Sequence, residues 1–394
     1  MPAAARSAAA SARSVATHAS LVNWVRLMAP LPVRGAPILQ PRVNLVHEIT
    51  HAALQQFTTL RLGGVAHRVI PTASPEEIVE AIRAVDRAGE KMLLLGGGSN
   101  VVISDDGFPG TVVLLRSGGI TRDGDSITVE AGHPWDDVVA YSVDSGLAGI
   151  ESLSGIPGAA GATPVQNVGA YGQEVAETIT SVRVYDRAHD KVTDLRPLAC
   201  GFGYRTSRFK HNERYVVLAV TFRLTPSESS TPIRYAELAR ALDVPVGGRA
   251  PLAKVRETVL GLRARKGMVL DPTDPDTYSV GSFFTNPVLD GPDYAALQRR
   301  ADRAGGGAPP AWPGQDGEVK VSAAWLIEHA GFHKGYAGQH KGVSLSGKHT
   351  LALTNRGDGS TTALLGLARE VRDGVRAMFG VTLEPEPVLV NCRL

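Results

Sequence analysis

The stretch "LLLGGGSNVVIS", Leu93 to Ser104, decides how the first half of this chain is interpreted. Its three leucines are typical of a buried strand, and the glycines that follow can direct backbone N–H groups at phosphate oxygens. In a Rossmann unit a helix would come next. Here Val101, Val102 and Ile103 come next, and β-branched residues favour a strand. The segment therefore predicts strand–loop–strand, in which the loop is either a phosphate-binding loop or a tight turn.

Alternating helices and strands surround this loop from about Phe57 onwards. Ser74 is the predicted N-cap of a helix, because Glu77 follows three residues later as in a capping box. Further strands are predicted over "GTVVLLR", "SITVEAG", "SVRVYD", "YVVLAVTFRL" and "TLALTN". Further helices are predicted over "PWDDVVAYSVDSG", "LAKVRETVLGLRARKG", "SAAWLIEHAG" and "STTALLGLAREVRDGVRAMFG", and a loop over "GGGAPPAW".

Composition excludes several classes of partner. The net charge is +2 and Lys and Arg form no dense block, so we expect no nucleic-acid partner. No apolar run reaches the length of about eighteen residues that a membrane span needs. Cys200 and Cys392 cannot make a disulfide framework, which indicates reduced thiols in a cytoplasmic protein. The spacing of His333, His340 and His349 is not that of metal ligands, so we expect no metal site.

Two segments mark the organisation of the chain. The Ser/Thr/Pro-rich stretch "TPSESSTP" at 225–232 is a predicted linker, which divides residues 48–225 from residues 226–394. Residues 1–47 are rich in Ala, Ser and Arg and contain no acidic residue. Three interpretations of this segment stay open: a transit peptide, a disordered extension, or a start codon assigned too early.

The segment "LSGIPGAAGATPVQNVGAYG", Leu153 to Gly172, is the second glycine-rich motif. So many turn residues in one segment indicate either a set of tight turns or close backbone approach to a ligand. The side chains of Gln166, Asn167 and Tyr171 would suit a flat, hydrogen-bonding ligand.

Three shorter motifs carry candidate chemistry. Arg205 in "FGYRTSRFK" either grips a carboxylate or covers a tyrosine at the surface. Ser282 in "YSVGSFFTNP" is a small hydroxyl between a glycine and two aromatics, and a structural serine would bond a neighbouring backbone group. Glu384 and Glu386 in "LEPEPVLV" would lie on one face of an extended chain. The alternative to a functional role is that this face is only solvated.

Taken together and in this order, these motifs resemble the UDP-N-acetylenolpyruvoylglucosamine reductases over about Phe57 to Val390. The resemblance implies an α+β fold. Residues 48–225 would form a two-lobed FAD-binding domain of the vanillyl-alcohol-oxidase type, and residues 226–394 a C-terminal α+β substrate domain. Tyr235 in "IRYAEL" resembles the family type that has an extra substrate-covering loop.

The resemblance also implies roles for single residues. Ser282 would be the general acid, and Arg205 and Glu386 would act on the substrate carboxylate. Tyr171, Tyr235, Lys266 and Asn286 would contact the substrate. Non-covalent FAD would be held by Leu95, Gly96, Gly97, Gly98, Ser99, Asn100, Ile156, Pro157, Gly158, Gly161, Ala162, Gln166, Asn167, Gly169 and Ala170.

The implied reaction uses NADPH and FAD to reduce the enolpyruvyl group of a UDP-sugar to UDP-N-acetylmuramate, a cytoplasmic step of peptidoglycan synthesis. A monomer is favoured. Two alternatives stay open: a sugar or alcohol oxidase on the same flavin fold, and a non-catalytic flavin- or nucleotide-sugar-binding module. Many such oxidases tether flavin through His or Cys, and the loop from Gly96 to Asn100 contains neither.

Overall fold

A computed structural model describes residues 48–314 and 316–394, so our expectations for residues 1–47 fall outside the described part. The strands are β1 (Ile49–Ala53), β2 (Val65–Thr72), β3 (Met92–Leu95), β4 (Val101–Ile103), β5 (Phe108–Leu115), β6 (Ile120–Asp123), β7 (Ser126–Glu130), β8 (Leu147–Ala148), β9 (Gly169–Ala170), β10 (Gln173–Glu174), β11 (Ile179–Asp186), β12 (Lys191–Leu195), β13 (Tyr215–Arg223), β14 (Thr225–Pro226), β15 (Val288–Leu289), β16 (Ala311–Pro313), β17 (Val319–Val321), β18 (Val343–Leu345), β19 (Leu353–Asn355) and β20 (Val388–Val390). The helices are α1 (Pro75–Ala88), α2 (Trp135–Asp144), α3 (Pro197–Cys200), α4 (Ala236–Leu242), α5 (Leu252–Arg265), α6 (Gly291–Arg303), α7 (Ala323–His329) and α8 (Thr361–Phe379).

The first sheet has the strand order β1-β2-β5-β3, with β5 parallel to both β2 and β3. Helix α1 connects β2 to β3, and its start is the predicted one. The Ser74 hydroxyl accepts a hydrogen bond from the Glu77 N–H at 3.2 Å, and the Glu77 carboxylate accepts one from the Ala73 N–H at 2.7 Å. This reciprocal cap satisfies donors that would otherwise be unpaired. The carboxyl ends of β2, β5 and β3 therefore meet at one edge of the sheet, where the glycine loop begins.

The second sheet is antiparallel, with the order β12-β11-β13-β7-β6. Its inward side chains share one apolar core with the buried face of α1 and with α2, including Ile82, Val139, Val184 and Phe222. These two sheets correspond to the two lobes expected for the FAD-binding domain.

A separate apolar core fills the C-terminal region. It packs α6, α7 and α8 against Phe283 and Phe284, which are 0% and 1% exposed. The loop predicted over "GGGAPPAW" ends in β16, which adds an edge to the small sheet β15-β17-β16. The strand predicted over "TLALTN" is shorter than expected, and only Leu353–Asn355 pairs with β18.

The C-terminal strand returns to the first glycine loop. β20 pairs in parallel with β4, with Val388 opposite Val101, and the Val388 N–H donates to the Asn100 carbonyl at 3.0 Å. Glu386 lies two residues before β20 and Asn100 lies one residue before β4. This pairing therefore brings Glu386 close to Asn100 in the first glycine loop. Among the described residues, no helix is long and apolar enough to cross a membrane.

Candidate active site

The two glycine-rich loops pack directly on each other. A Cβ added at Gly97 would lie 2.6 Å from the Gly158 Cα, and Gly158 has a φ of +123°. The Ser99 hydroxyl crosses between the loops and donates to the Pro157 carbonyl at 3.0 Å. Glycine is required at both positions, at Gly97 by backbone contact and at Gly158 by backbone conformation.

Backbone donors line this junction. Six N–H groups donate no hydrogen bond to any other group of the described chain; they belong to Gly97, Gly98, Ser99, Asn100, Gly158 and Ala159. Clustered amide N–H groups of this kind bind phosphate oxygens. The cradle therefore fits a pyrophosphate such as that of FAD, and of the two interpretations of the first loop it supports phosphate binding.

Gln166 joins the cradle to the candidate catalytic groups. Its side-chain oxygen accepts from the Asn100 amide at 2.9 Å, and its amide nitrogen donates a long hydrogen bond of 3.4 Å to Glu386 Oε1. The Asn167 side chain is instead hydrogen-bonded within the protein. Its amide nitrogen donates to the Glu174 carboxylate and to the Gly203 carbonyl, and its oxygen accepts from the Ala176 N–H.

The remaining predicted FAD contacts follow the path of the second loop. Leu95 is buried at the end of β3, next to Gly96. Gly161 lies against the end of β7, since an added Cβ would be 2.5 Å from the Ala131 Cβ. Ile156, Ala162, Gly169 and Ala170 are the others, and Gly169 and Ala170 form β9.

Arg205 and Glu386 form an ion pair, with Arg205 Nε 3.4 Å from Glu386 Oε1. Arg205 adopts a φ of +51°, which is uncommon for a residue with a side chain and often marks a functional site. Its Nη2 donates to the Gly169 carbonyl at 2.9 Å, and Lys210 Nζ donates to the Arg205 carbonyl at 3.0 Å. The "FGYR" motif is thus fastened to the second glycine loop.

Burial raises the pKa of the Glu386 carboxyl, and the positive charges of Arg205 and Lys210 oppose this effect. The side chain is 15% exposed. Desolvation disfavours the charged form of a carboxyl group, so the protonated form persists to higher pH than in water. Burial is thus the cause of the raised pKa of Glu386.

The segment carrying Ser282 lies alongside the segment carrying Glu386. The Glu386 N–H donates to the Phe283 carbonyl at 2.8 Å, and the Thr285 N–H donates to the Glu384 carbonyl at 3.1 Å. Gly281 has a φ of +77°, and an added Cβ there would meet nothing within 4 Å, so conformation and not space favours glycine. The Ser282 hydroxyl makes no hydrogen bond within the described chain. The structural alternative, a serine bonded to nearby backbone, is therefore not what the structure contains.

Tyr171, Tyr235 and Lys266, which the resemblance assigns to the substrate, lie close together. The two tyrosine rings meet edge to face with centroids 5.6 Å apart, and Lys266 Nζ lies 5.8 Å from the Tyr171 ring centroid. Lys266 also pairs with Glu237 at 2.6 Å. Burial raises the pKa of Tyr171 to about 12, so its hydroxyl keeps its proton. The group offers a cation and two hydroxyls.

Asn286 lies in another setting. Its side-chain oxygen accepts from the Ala323 N–H at 2.9 Å, at the start of α7. It also lines a cavity of about 450 Å³ together with Tyr204, Arg205, Lys210 and Glu384. Asn286 thus shares a cavity with Arg205.

Sequence reasoning assigned no role to His349, Lys334 or Lys210. Burial, together with the positive charges of Lys266 and Lys334, lowers the pKa of His349 to about 4. His349 is therefore neutral near pH 7 and lies among cations. No local signal marks these residues, because their chemistry depends on neighbours that are distant in sequence; only Lys210 lay inside a quoted motif.

Comparison with known proteins gives two family matches. Residues 66–196 match an FAD binding domain, and residues 272–390 match the C-terminal domain of UDP-N-acetylenolpyruvoylglucosamine reductase. A protein of the latter name from Salinispora arenicola is 60% identical, over 89% of this chain and 97% of its own length. One from Thermobifida fusca is 54% identical, over 86% and 97%.

A crystal structure supports the fold alone. The UDP-N-acetylenolpyruvylglucosamine reductase of Thermus caldophilus is 24% identical and superposes with a TM-score of 0.60, covering 88% of this chain and 99% of that one. The predicted α+β fold with an FAD-binding domain is thereby confirmed. On the evidence of these matches, this chain belongs to the UDP-N-acetylenolpyruvoylglucosamine reductase family.

Proposed function

We propose that this chain catalyses the NADPH-dependent reduction of UDP-N-acetyl-3-O-(1-carboxyvinyl)-glucosamine to UDP-N-acetylmuramate, a step of peptidoglycan precursor synthesis. The observation that carries the proposal is the meeting of Arg205, Glu386 and the Ser282 segment beside a cradle that fits FAD. A cation, a protonatable carboxyl and a free hydroxyl are the groups needed to reduce a double bond that bears a carboxylate.

The cradle residues are proposed to hold FAD without a covalent link. The amides of Gly97, Gly98, Ser99 and Gly158 would bind its pyrophosphate. Bound FAD supplies hydride transfer, from NADPH and to the terminal carbon of the enol ether. The side chains of the protein would orient NADPH and the nucleotide sugar, stabilise the developing negative charge and supply the proton.

Arg205 is proposed to bind the substrate carboxylate and to stabilise the negative charge that develops beside it. Its ion pair with Glu386 supports this role, because Arg205 already faces one carboxyl group in the structure. Glu386, whose pKa is raised by burial, would donate a hydrogen bond to the same carboxylate while protonated. An ionised Glu386 would repel that carboxylate, so its protonation state matters for the reaction.

Ser282 is proposed as the general acid that protonates the carbon next to the carboxylate. A serine is a weak acid, but the enolate-like species that accepts the proton is strongly basic. The Ser282 hydroxyl makes no other hydrogen bond in the described chain, which leaves it available. Phe283 and Phe284 are buried directly after it and help to exclude water.

Tyr171, Tyr235 and Lys266 are proposed to bind the nucleotide diphosphate. An ammonium and two protonated phenols can neutralise and hydrogen-bond phosphate oxygens. Tyr235 is 46% exposed, which suits a group that covers a bound ligand. We assign Asn286 to the same substrate with a separate contact, in the cavity beside Arg205.

Anaerobic stopped-flow absorbance of the FAD-loaded protein tests the function. NADPH is expected to bleach the flavin band, and the enolpyruvyl nucleotide sugar is expected to restore it without oxygen. Recovery only after oxygen enters would contradict the proposal and indicate an oxidase. A flavin that NADPH does not bleach would contradict it as well.

We further propose a cytoplasmic monomer with a domain boundary between residues 225 and 226. Two free thiols, of which Cys200 is buried, are compatible with a reducing compartment. Size-exclusion chromatography with light scattering is expected to give the mass of one chain; a stable dimer would contradict this.

A further inference from the structure

Glu151 is a fully buried carboxylate with neutral partners. It is 0% exposed and takes part in none of the salt bridges among the described residues. Four donors surround it: the Gly149 N–H at 2.6 Å, the Gln173 amide at 3.0 Å, the Thr231 N–H at 2.8 Å and the Thr231 hydroxyl at 3.0 Å. A buried charge needs such partners, and the fold supplies them from three separate segments.

The segment that supplies Gln173 also carries Tyr171. Strands β9 and β10 form a hairpin whose two turn residues are Tyr171 and Gly172, with φ of +49° and +83°. Two positive φ angles are typical of a type I′ turn. Gln173 follows this turn directly, so a hydrogen bond from Gln173 to Glu151 fixes the hairpin at its tip.

The segment that supplies Thr231 also carries Tyr235. Thr231 lies four residues before Tyr235, in the Ser/Thr/Pro-rich stretch that precedes α4. Gln173 also donates to the Thr231 hydroxyl at 2.6 Å, which closes a three-membered network with Glu151. Where the two segments touch, a Cβ on Gly172 would lie 3.0 Å from the Arg234 Cβ. The network therefore fixes both tyrosine-bearing segments to a single carboxylate.

We propose that Glu151 is a positioning residue for nucleotide-sugar binding, which sets Tyr171 and Tyr235 in the edge-to-face arrangement that receives the diphosphate. The inference rests on the proposed substrate role of these tyrosines. Because the network already orders both segments, substrate binding does not incur the conformational-entropy cost of ordering them, and the affinity for the substrate is higher. Glu151 touches neither substrate nor cofactor and acts through Tyr171 and Tyr235.

The test is a double-mutant cycle with Glu151→Gln and Tyr235→Ala. Glu151→Gln keeps the side-chain shape but turns an N–H₂ toward at least one N–H donor, which leaves that donor unpaired. Each single variant is expected to raise the KM for the nucleotide sugar about tenfold, which corresponds to about 1.4 kcal/mol. For Glu151→Gln, the single-turnover rate at saturating substrate is expected to stay within about twofold of the wild-type rate. The double variant is expected to raise KM by less than the product of the two single effects, because Glu151 acts in part through Tyr235.

Two controls separate positioning from plain stability. Asp186→Asn removes another buried carboxylate, bound by Arg214 at 2.6 Å, and should lower the melting temperature without changing KM. Thr231→Val removes a single donor to Glu151, and should raise KM by about threefold in a protein that folds normally.

Several results would overturn the inference. One is a Glu151→Gln variant that is less stable but has an unchanged KM, and another is a KM for the double variant near the product of the two single effects. If Tyr235→Ala alone leaves KM unchanged, the role of Tyr235 is wrong, and with it the inference. Failure of the proposed function is recognised separately, because the wild-type flavin would not be reoxidised by the nucleotide sugar.

Discussion

At the scale of single residues, the environment of Glu386 supports its proposed role, in which a carboxyl group binds the carboxylate of the substrate. The burial that raises its pKa outweighs the opposing charges of Arg205 and Lys210. Gln166 and Arg205 both contact its Oε1, at 3.4 Å each. Glu386 is therefore held in place in a setting whose burial disfavours its ionised form relative to water.

This environment predicts a pH dependence. In the proposed mechanism the protonated form of Glu386 is the active one. The rate of flavin reoxidation by the nucleotide sugar should therefore be full below the raised pKa of Glu386 and fall as pH rises through it. Glu386→Gln keeps a donor at all pH values, so its rate should lose this pH limb and stay within about tenfold of the wild-type plateau. Single-turnover rates across the pH range measure both effects. A Gln variant with the wild-type pH limb would show that another group titrates.

Local residue chemistry was only partly readable from the sequence. The motif around Ser282 predicts an unusual hydroxyl, and the structure leaves that hydroxyl without a protein partner. The contacts of Glu386 were not predictable by spacing, because Gln166 lies 220 positions away in the chain. The pairing of β20 with β4 brings Glu386 close to Asn100, whose amide bonds the Gln166 side chain.

At the scale of elements, the cradle is made by two loops that depend on each other. Gly97 and Gly158 are in backbone contact, so neither loop can keep its shape if the other is displaced. The glycine content of both loops could be interpreted from the sequence as ligand contact. The contact between the two loops could not be predicted from the sequence. About sixty residues separate Gly97 from Gly158, and they include β6 and β7 of the second sheet.

Gly97→Ala is predicted to weaken FAD binding. The added Cβ would lie 2.6 Å from the Gly158 Cα, so backbone must move and the amide donors lose their alignment. Since overpacking typically costs about 1–3 kcal/mol, the Kd for FAD should rise by at least about fivefold. Fluorescence titration of the apoprotein with FAD measures this.

Gly291→Ala is the matched control, since an added Cβ there meets nothing within 4 Å and its φ is not positive. It should bind FAD like the wild type. An equal Kd for Gly97→Ala and the control would show that the contact between the loops does not shape the cradle.

At the scale of the whole molecule, the sequence indicates a linker at 225–232, yet the described chain shows close connections across it. Arg256 in α5 binds Asp136 in α2 with two hydrogen bonds, of 2.7 Å and 2.9 Å. β20 extends the connection by pairing with β4. Composition indicates a linker, but it carries no information on these long-range pairs.

Because FAD would bind only the folded cradle, it is predicted to stabilise the molecule. At free FAD of about 100 times its Kd, the free energy of unfolding should rise by about 2.7 kcal/mol. Denaturant unfolding at several FAD concentrations measures the effect, and Gly97→Ala should show a smaller one at the same concentrations. A wild-type stability that does not change with FAD would contradict binding to the folded state.

We propose that Ser282 delivers the proton in the second half of the reaction. The most direct measurement is anaerobic single-turnover absorbance of Ser282→Ala loaded with FAD. NADPH should bleach the flavin at the wild-type rate, while reoxidation by the enolpyruvyl nucleotide sugar should slow by about 10²–10⁴-fold, the range typical of general acid catalysis. Reoxidation at the wild-type rate would contradict the account and assign the proton to another group.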